Sequence, residues 1–138
     1  MREIKYRAWD IELQEMRDEF LGKSGDEPGD WILFFKKEEN IEGIQNPYPR
    51  QRFVLLEYAG LKDRDGREIY EGDIISEDPS IWNEHFYYFI VNMRDGCWEA
   101  KSTIPFDKNA RGCLLFNIKN PKVEGNIYEN PELIKEEW

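Results

Sequence analysis

A glutamate and a lysine two residues apart, Glu99 and Lys101, come closer to a catalytic arrangement than any other residues of this sequence. Residues two apart on a strand share a face, so the two side chains could act together. In metal-dependent nucleases two acids hold Mg²⁺ and a lysine polarises the attacking water. Asp78 and Asp95 precede the pair and could supply the second acid. The spacing therefore admits a nuclease site.

Composition weakens this nuclease hypothesis. The acid-x-lysine pattern occurs twice in the chain, the other copy running from Glu3 to Lys5. With 29 acids among 138 residues, about two copies are expected by chance, because such a short motif has little specificity. Catalysis by a serine or cysteine would need His85, whose place beside Phe86 is typical of a packed or edge-exposed imidazole. We keep a metal-dependent nuclease as the alternative hypothesis and expect a protein without enzymatic activity.

Metal-binding patterns are incomplete. Two cysteines and one histidine are too few for a four-ligand zinc site of cysteines and histidines. Asp63, Asp65 and Glu68 resemble part of a calcium loop, but an EF-hand in this register would need a ligand at Leu61 and an acid at Gly72. Turn formation explains these acids without metal. We therefore expect neither a metal nor another cofactor.

The segment that must position these side chains is YAGLKDRDGREIYEGDII, residues 58–75. Alternating apolar residues at 54–58 predict a strand that stops at Gly60. Lys62 to Arg67 then has the composition of a hairpin loop, and residues 71–73 are expected to make a second turn before Ile74. Two reversals so close together predict a compact β corner.

Elsewhere the pattern is also that of strands. Residues 4–10 alternate and predict a strand, and Asp95-Gly96 predicts a hairpin. The spacing of Leu13, Met16 and Phe20 favours a short helix slightly over a return strand. Pro131 after Asn130 predicts a terminal helix of about two turns. Further strands are predicted at 31–35, 85–93, 97–101, 114–118 and 123–128, and a long loop is predicted at 36–52.

The composition is that of one acidic domain. A length of 138 residues fits one domain, residues 1–138. The net charge of −10 disfavours direct nucleic-acid binding, because the average field repels phosphate. No window is long and apolar enough for a membrane span, and no leader-like segment opens the sequence, so we expect a cytoplasmic protein. Two cysteines are too few for a disulfide scaffold.

Residues 68–85 hold six acids and no lysine or arginine. The ordinary interpretation is a solvated face. The alternative is an acidic DNA mimic that occupies a host DNA-binding protein, and it predicts acids along one exposed ridge.

Three pieces of the sequence, IKYRAWD, GLKDRDGREIYEGDII and GNIYENPEL, resemble the YopX proteins, small proteins of phages and prophages. The segments 23–52 and 76–121 show no such match, and we expect 23–52 to be a variable loop or insertion. The resemblance places the family signature on positions that look structural: Arg7, Trp9, Gly60, Leu61, Asp63, Gly66, Ile69, Tyr70, Glu71, Gly72, Asp73, Gly125 and Asn126.

The resemblance implies an all-β (mainly β), SH3-like barrel with long loops and a short C-terminal helix. It implies no established enzymatic activity and transfers no catalytic residue. Five tryptophans and exposed strand edges are typical of interfaces. Our first hypothesis is therefore an accessory domain that binds an unidentified protein partner or associates with itself as a homo-oligomer.

Overall fold

The structure is a computed structural model, and it describes residues 5–18, 20–25, 30–34, 48–78, 88–102 and 113–134. The described residues are almost entirely strands and turns, which confirms the all-β class. They form two compact units, one of residues 5–57 and the other of the described residues from Tyr58 onward. Strand β6 begins in the first unit and ends in the second.

The first unit contains two small antiparallel sheets. Its strands are β1 (Tyr6–Asp10), β2 (Glu15–Arg17), β3 (Phe20–Lys23), β4 (Trp31–Phe34), β5 (Tyr48–Pro49) and the start of β6 (Phe53–Lys62). One sheet has the order β2-β1-β6 and the other β3-β4-β5. A core of Ala8, Ile32 and Phe53, with Leu55 packed against it, supports both.

The preference for a helix after Asp10 was wrong, because β2 returns antiparallel to β1. Ala8 pairs with Arg17 and Asp10 with Glu15, so the chain reverses within four residues. Side-chain spacing could not distinguish the two outcomes. The carboxylate of Asp10 decides it, since it holds the backbone of the turn.

Part of the predicted loop at 36–52 has regular structure. Tyr48–Pro49 forms β5 at the edge of its sheet, where a residue without an N–H is tolerated. A 3-10 turn, Arg50–Arg52, follows it. The strand predicted at 31–35 is confirmed as β4. Residues 26–29 and 35–47 lie outside the described part, and a variable 23–52 segment stays a prediction.

The second unit is a five-stranded antiparallel sheet with the β6–β7 hairpin. Its further strands are β7 (Glu68–Tyr70), β8 (Asp73–Ser76), β9 (Tyr88–Arg94), β10 (Cys97–Ser102), β11 (Cys113–Leu114) and β12 (Lys122–Asn126). The sheet order is β11-β10-β9-β8-β12. The core of this unit consists of Ala59, Ile69, Ile75, Phe89, Val91, Ala100, Leu115, Ile118 and Val123, with Trp98 against it.

Several predicted elements are confirmed and others are shorter. The Asp95-Gly96 hairpin is present, with φ of 51° and 79° at its two central residues, as a type I′ turn requires. The strand at 114–118 ends at Leu114, and a 3-10 turn follows. The terminal helix is one 3-10 turn, Pro131–Leu133, and Ile134 is already extended. Closure into an SH3-like barrel stays a prediction.

Candidate functional site

The corner at residues 58–75 is built around a bulge at Gly60. Tyr58 pairs with Tyr70 and Lys62 with Glu68, so three residues of β6 lie opposite one residue of β7. Gly60 has a φ of 85°, a conformation that glycine adopts without a steric penalty. The strand therefore continues past Gly60 to Lys62, and the predicted end at Gly60 was wrong.

Asp63 is the centre of the hairpin loop that follows. Its Oδ1 accepts hydrogen bonds from the backbone N–H groups of Asp65 and Arg67, at 2.9 and 2.8 Å. Its Oδ2 accepts one from Val123 of β12, at 2.9 Å. The residue is 6% exposed. One carboxylate thus closes its own loop and fastens that loop to the last strand.

The environment of Asp63 favours its charged form. Burial raises the pKa of the carboxyl, but the hydrogen bonds from Val123, Arg67 and Asp65, with the charge of Arg67, outweigh it and hold the pKa below its usual range. Both oxygens already accept hydrogen bonds from the chain itself. Asp63 therefore uses both oxygens to hold the hairpin loop that was predicted around it, and that loop is present.

The second turn of the corner repeats this design with Asp73. Asp73 is 1% exposed, and its Oδ2 accepts a hydrogen bond of 2.8 Å from Tyr70 N. Gly72 has a φ of 87°. Its N–H donates to the carbonyl of Val91 at 2.8 Å, and its own carbonyl accepts from Ile127 N at 2.9 Å. The turn therefore joins β9 to the segment after β12.

The closing GNIYENPEL motif is a third turn fixed by side chains. Asn126 Oδ1 accepts hydrogen bonds from the backbone N–H groups of Tyr128 and Glu129, at 3.0 and 2.8 Å. Asn130 Oδ1 accepts one from Asn126 N at 3.2 Å. A Cβ on Gly125 would overlap the Asn130 side chain. Only glycine fits at 125 while Asn130 keeps this position.

The other signature positions are divided between core and surface. Trp9 and Ile69 are buried, whereas Leu61 is 41% exposed. Arg7 lies on β1, and Gly66 has a φ of 85° in the hairpin loop. Glu71 is half-buried beside Gly72. These placements agree with a structural role for most of the signature, which stays a prediction.

A fourth anchored turn, which the sequence analysis missed, joins β1 to β2. Asp10 is fully buried. Its Oδ1 accepts hydrogen bonds from the N–H groups of Glu12 and Leu13, at 3.0 and 3.1 Å. Arg52 donates to both oxygens, from Nε at 2.9 Å and Nη2 at 2.8 Å. The bidentate geometry fixes the guanidinium as well as the turn.

The carboxyl of Asp10 is ionised for the same reason as that of Asp63. Burial raises its pKa, but the Arg52 hydrogen bonds and charge, with the N–H groups of Leu13 and Glu12, outweigh it and lower the pKa. An aspartate at the end of a strand, two and three residues before N–H groups that it can accept from, is a recognisable turn signal. The partner Arg52, 42 residues later, has no such local signal.

The residues held by Asp10 are exposed. We define the β1–β2 tip as residues 11–14. Ile11 is 49% exposed and Leu13 is 57% exposed. Gln14 has a φ of 55°, and its Nε2 donates to the carbonyl of Ile11 at 2.7 Å. The tip presents two aliphatic side chains on a turn that its own hydrogen bonds define.

The residues of the nuclease hypothesis lie on β10, in the turn before it and after β8, and the hypothesis stays a prediction. Glu99 and Lys101 lie on β10 on the face opposite the buried Ala100, and Glu99 Oε1 accepts a hydrogen bond of 3.3 Å from Asn92 Nδ2. Asp95 lies in the exposed turn before β10, with Arg94 Nε 3.9 Å from its Oδ2. Asp78 donates its backbone N–H to the carbonyl of Lys119.

No group of three or more histidine, cysteine, aspartate or glutamate side chains that could hold a metal occurs among the described residues. His85 and the other residues from 79 to 87 lie outside that part. Of the acids in 68–78, Asp73 and Glu77 are buried, and Glu77 Oε2 accepts a hydrogen bond of 2.7 Å from Lys119 N. The described acids of this segment do not form the exposed ridge that the DNA-mimic hypothesis predicts.

The described helical segments are short 3-10 turns, and none of them is long and apolar enough to span a membrane. Together the strands and anchored turns define a mainly β protein whose acidic and amide side chains are used to fix chain reversals.

The family model described as YopX protein matches residues 5–135. The chain belongs to the YopX family, and the resemblance of its three motifs is confirmed. The protein EF1440 from Enterococcus faecalis, known from a crystal structure, is 25% identical, with a TM-score of 0.66 over 98% of this chain and 100% of that one. The protein yopX from Bacillus subtilis is 21% identical, with a TM-score of 0.62 over 98% of this chain and 100% of that one. None of the curated proteins searched matches the chain.

Proposed function

We propose that the chain is a non-enzymatic protein-binding β domain that serves a phage or prophage as an accessory protein. One observation carries the proposal. The side chains of the signature that could do chemistry, above all Asp63 and Asp73, accept hydrogen bonds from backbone N–H groups of the chain itself. A carboxylate so occupied is a poor general base or metal ligand, because protonation or metal binding would compete with the buried hydrogen bonds that it already accepts.

The β1–β2 tip supports binding. The turn that Asp10 holds leaves the aliphatic side chains of Ile11 and Leu13 exposed on a short loop fixed by hydrogen bonds. Loops held by a strand scaffold are the usual place for recognition surfaces. The family resemblance supports the phage or prophage origin. The compartment that we expect is the cytoplasm.

The test combines affinity capture with a nuclease assay. The tagged chain is used as bait in cells in which the phage or prophage is induced, and each captured protein is then purified and titrated against the chain. We expect a saturable one-to-one interaction. Sedimentation of the chain alone measures self-association, the other form that the binding could take.

The nuclease hypothesis is tested in parallel with supercoiled DNA and Mg²⁺ at high protein concentration. We expect no cleavage. The wild-type chain could instead cleave the DNA, with cleavage lost in Glu99→Gln and in Lys101→Met but kept in the matched control Glu124→Gln. That result would contradict the binding proposal and support the nuclease hypothesis.

A further inference from the structure

We infer that the β1–β2 tip is the surface through which the chain docks, and that its partner is a protein with an apolar pocket bordered by lysine or arginine. This inference rests on the proposed protein-binding function and names the surface and the chemistry of the partner. The inference follows in three steps from the exposed apolar groups of the tip, from a turn that is ordered before binding, and from the charge around it.

The first step is exposure. Ile11 and Leu13 are the two most exposed large hydrophobic side chains among the described residues, at 49% and 57%. One exposed aliphatic residue is ordinary on a protein surface. Two on the same four-residue turn, with only Glu12 between them in the sequence, give the tip two exposed apolar groups that can enter a pocket.

The second step is rigidity. The N–H groups of Glu12 and Leu13 donate to Asp10 Oδ1. Gln14 N donates to the carbonyl of Asp10 at 2.8 Å, and Ile11 N donates to the carbonyl of Arg52 at 2.9 Å. Every residue of the tip thus donates its N–H to a partner in the chain. A turn ordered in this way loses little entropy on binding, which favours affinity.

The third step is charge. Arg52 contacts both Asp10 and Glu12, with its Nε 3.5 Å from Glu12 Oε2. One guanidinium therefore serves two carboxylates. Glu15, the residue after the tip, is exposed on β2, so the carboxylates of Asp10, Glu12 and Glu15 exceed the single charge of Arg52; the next basic residue on β2 is the half-buried Arg17. A pocket with a basic border is complementary to this surface.

The same charge disfavours a second copy of the chain as the occupant. A twofold contact centred on the tip would bring each Glu12, 70% exposed, towards its equivalent. The chain as a whole has a net charge of −10, so the encounter of two copies is also opposed at long range.

The test uses a photo-crosslinking amino acid placed at Leu13 in the full chain, with the same group at Leu61 as the matched control. Leu61 is also an exposed aliphatic residue, at 41%, and it lies in the other unit. After irradiation in cells that carry the induced phage or prophage, the crosslinked protein is identified and purified, and its Kd for the chain is measured by calorimetry. Crosslinking at 13 and not at 61 is expected.

The purified pair then tests the chemistry. Leu13→Ser is expected to weaken binding by about tenfold or more, as loss of an apolar anchor does. Glu12→Lys is expected to weaken binding more than Leu13→Ser does and to make the Kd less dependent on salt concentration. Leu61→Ser is expected to leave the Kd unchanged. Circular dichroism and thermal melting of each variant confirm that the fold is intact.

Three results would overturn the inference: crosslinking at 61 but not at 13, crosslinking at 13 to a second copy or to nucleic acid, or an unchanged Kd for Leu13→Ser and Glu12→Lys. A captured protein that binds the chain while ignoring the tip variants would leave the proposed function standing and remove only this surface. If no purified protein binds at all, both fail.

Discussion

Asp63 Oδ2 accepts a hydrogen bond of 2.9 Å from the backbone N–H of Val123, 60 residues later in the sequence. Val123 pairs with Ile75 on β8 on its other side, and Arg64 N donates to the carbonyl of Pro121 at 2.8 Å. The β6–β7 loop thus covers the free edge of β12. Covering an edge in this way protects a strand from unwanted pairing.

Replacing the Asp63 carboxylate with an amide should destabilise the second unit. In Asp63→Asn one oxygen becomes an NH₂ group that must face a backbone N–H, and the charge that strengthens all three bonds is lost. We expect the free energy of unfolding to fall by about 2 kcal/mol, as for a buried partner left unsatisfied. Urea denaturation measures it. The control Asp65→Asn, exposed in the same loop, should cost less than about 0.5 kcal/mol.

The lowered pKa values of Asp63 and Asp10 predict acid lability. A folded-state pKa below the unfolded value near 3.8 gives stability that is complete above that value and is lost as the pH falls through the folded pKa. We expect urea midpoints to be flat near neutral pH and to fall from about pH 5 downward. The fall should be shallower in Asp63→Asn. An equally steep fall in that variant would mean that other carboxyls are responsible.

Breaking the buried ion pair of the first unit should cost more than removing its exposed neighbour. Asp10→Asn replaces the bidentate carboxylate partner of Arg52, which is 17% exposed, with a neutral amide and leaves Arg52 its longer contact with Glu12. We expect a loss of about 2 kcal/mol, because the charge-assisted hydrogen bonds to a buried carboxylate are lost. Glu12→Gln is the matched control, because Glu12 meets the same guanidinium but is 70% exposed. Its cost should stay below about 0.5 kcal/mol. Thermal melting of the two variants compares them, and equal costs would show that the pair is not buried in solution.

Gly125 should tolerate no side chain while Asn130 is present. In Gly125→Ala the new Cβ would overlap the Asn130 amide, so we expect a loss of about 1–3 kcal/mol, typical of overpacking. In the Asn130→Ala background the same change should cost much less, and this difference is the coupling that a double-mutant cycle measures. Gly22→Ala is the control, since a Cβ there meets nothing within 4 Å. Independent costs at 125 and 130 would contradict the steric explanation.

The turns that depend on residues close together in the sequence were predicted correctly. The hairpin loop predicted at Lys62 to Arg67, the turn at Asp73 and the Asp95-Gly96 hairpin each depend on side-chain acceptors or on positive φ within a few residues. All three are present, although Lys62 itself belongs to β6. The all-β class followed from alternation and from the family motifs.

Longer-range packing decided the rest. Gly60 was expected to end β6, but pairing with β7 carries the strand through it as a bulge. Met16 was placed on a helix by spacing, and its pairing opposite Trp9 makes it part of a strand. The partners Arg52 for Asp10 and Val123 for Asp63 lie 42 and 60 residues away, beyond any spacing rule. The exposure of the β1–β2 tip was not predicted, because it also depends on packing between residues far apart in the sequence.

The amide proton of Val123 tests most directly the claim that the signature acids hold the fold together. Hydrogen exchange measured by NMR on the wild-type chain and on Asp63→Ala, which removes both acceptor oxygens, reports this one bond. We expect exchange at Val123 to be at least about tenfold faster in the variant, because its acceptor is lost, while the Val91 amide of the central strand β9 changes less. Unchanged protection of Val123 in a folded Asp63→Ala variant would contradict the claim.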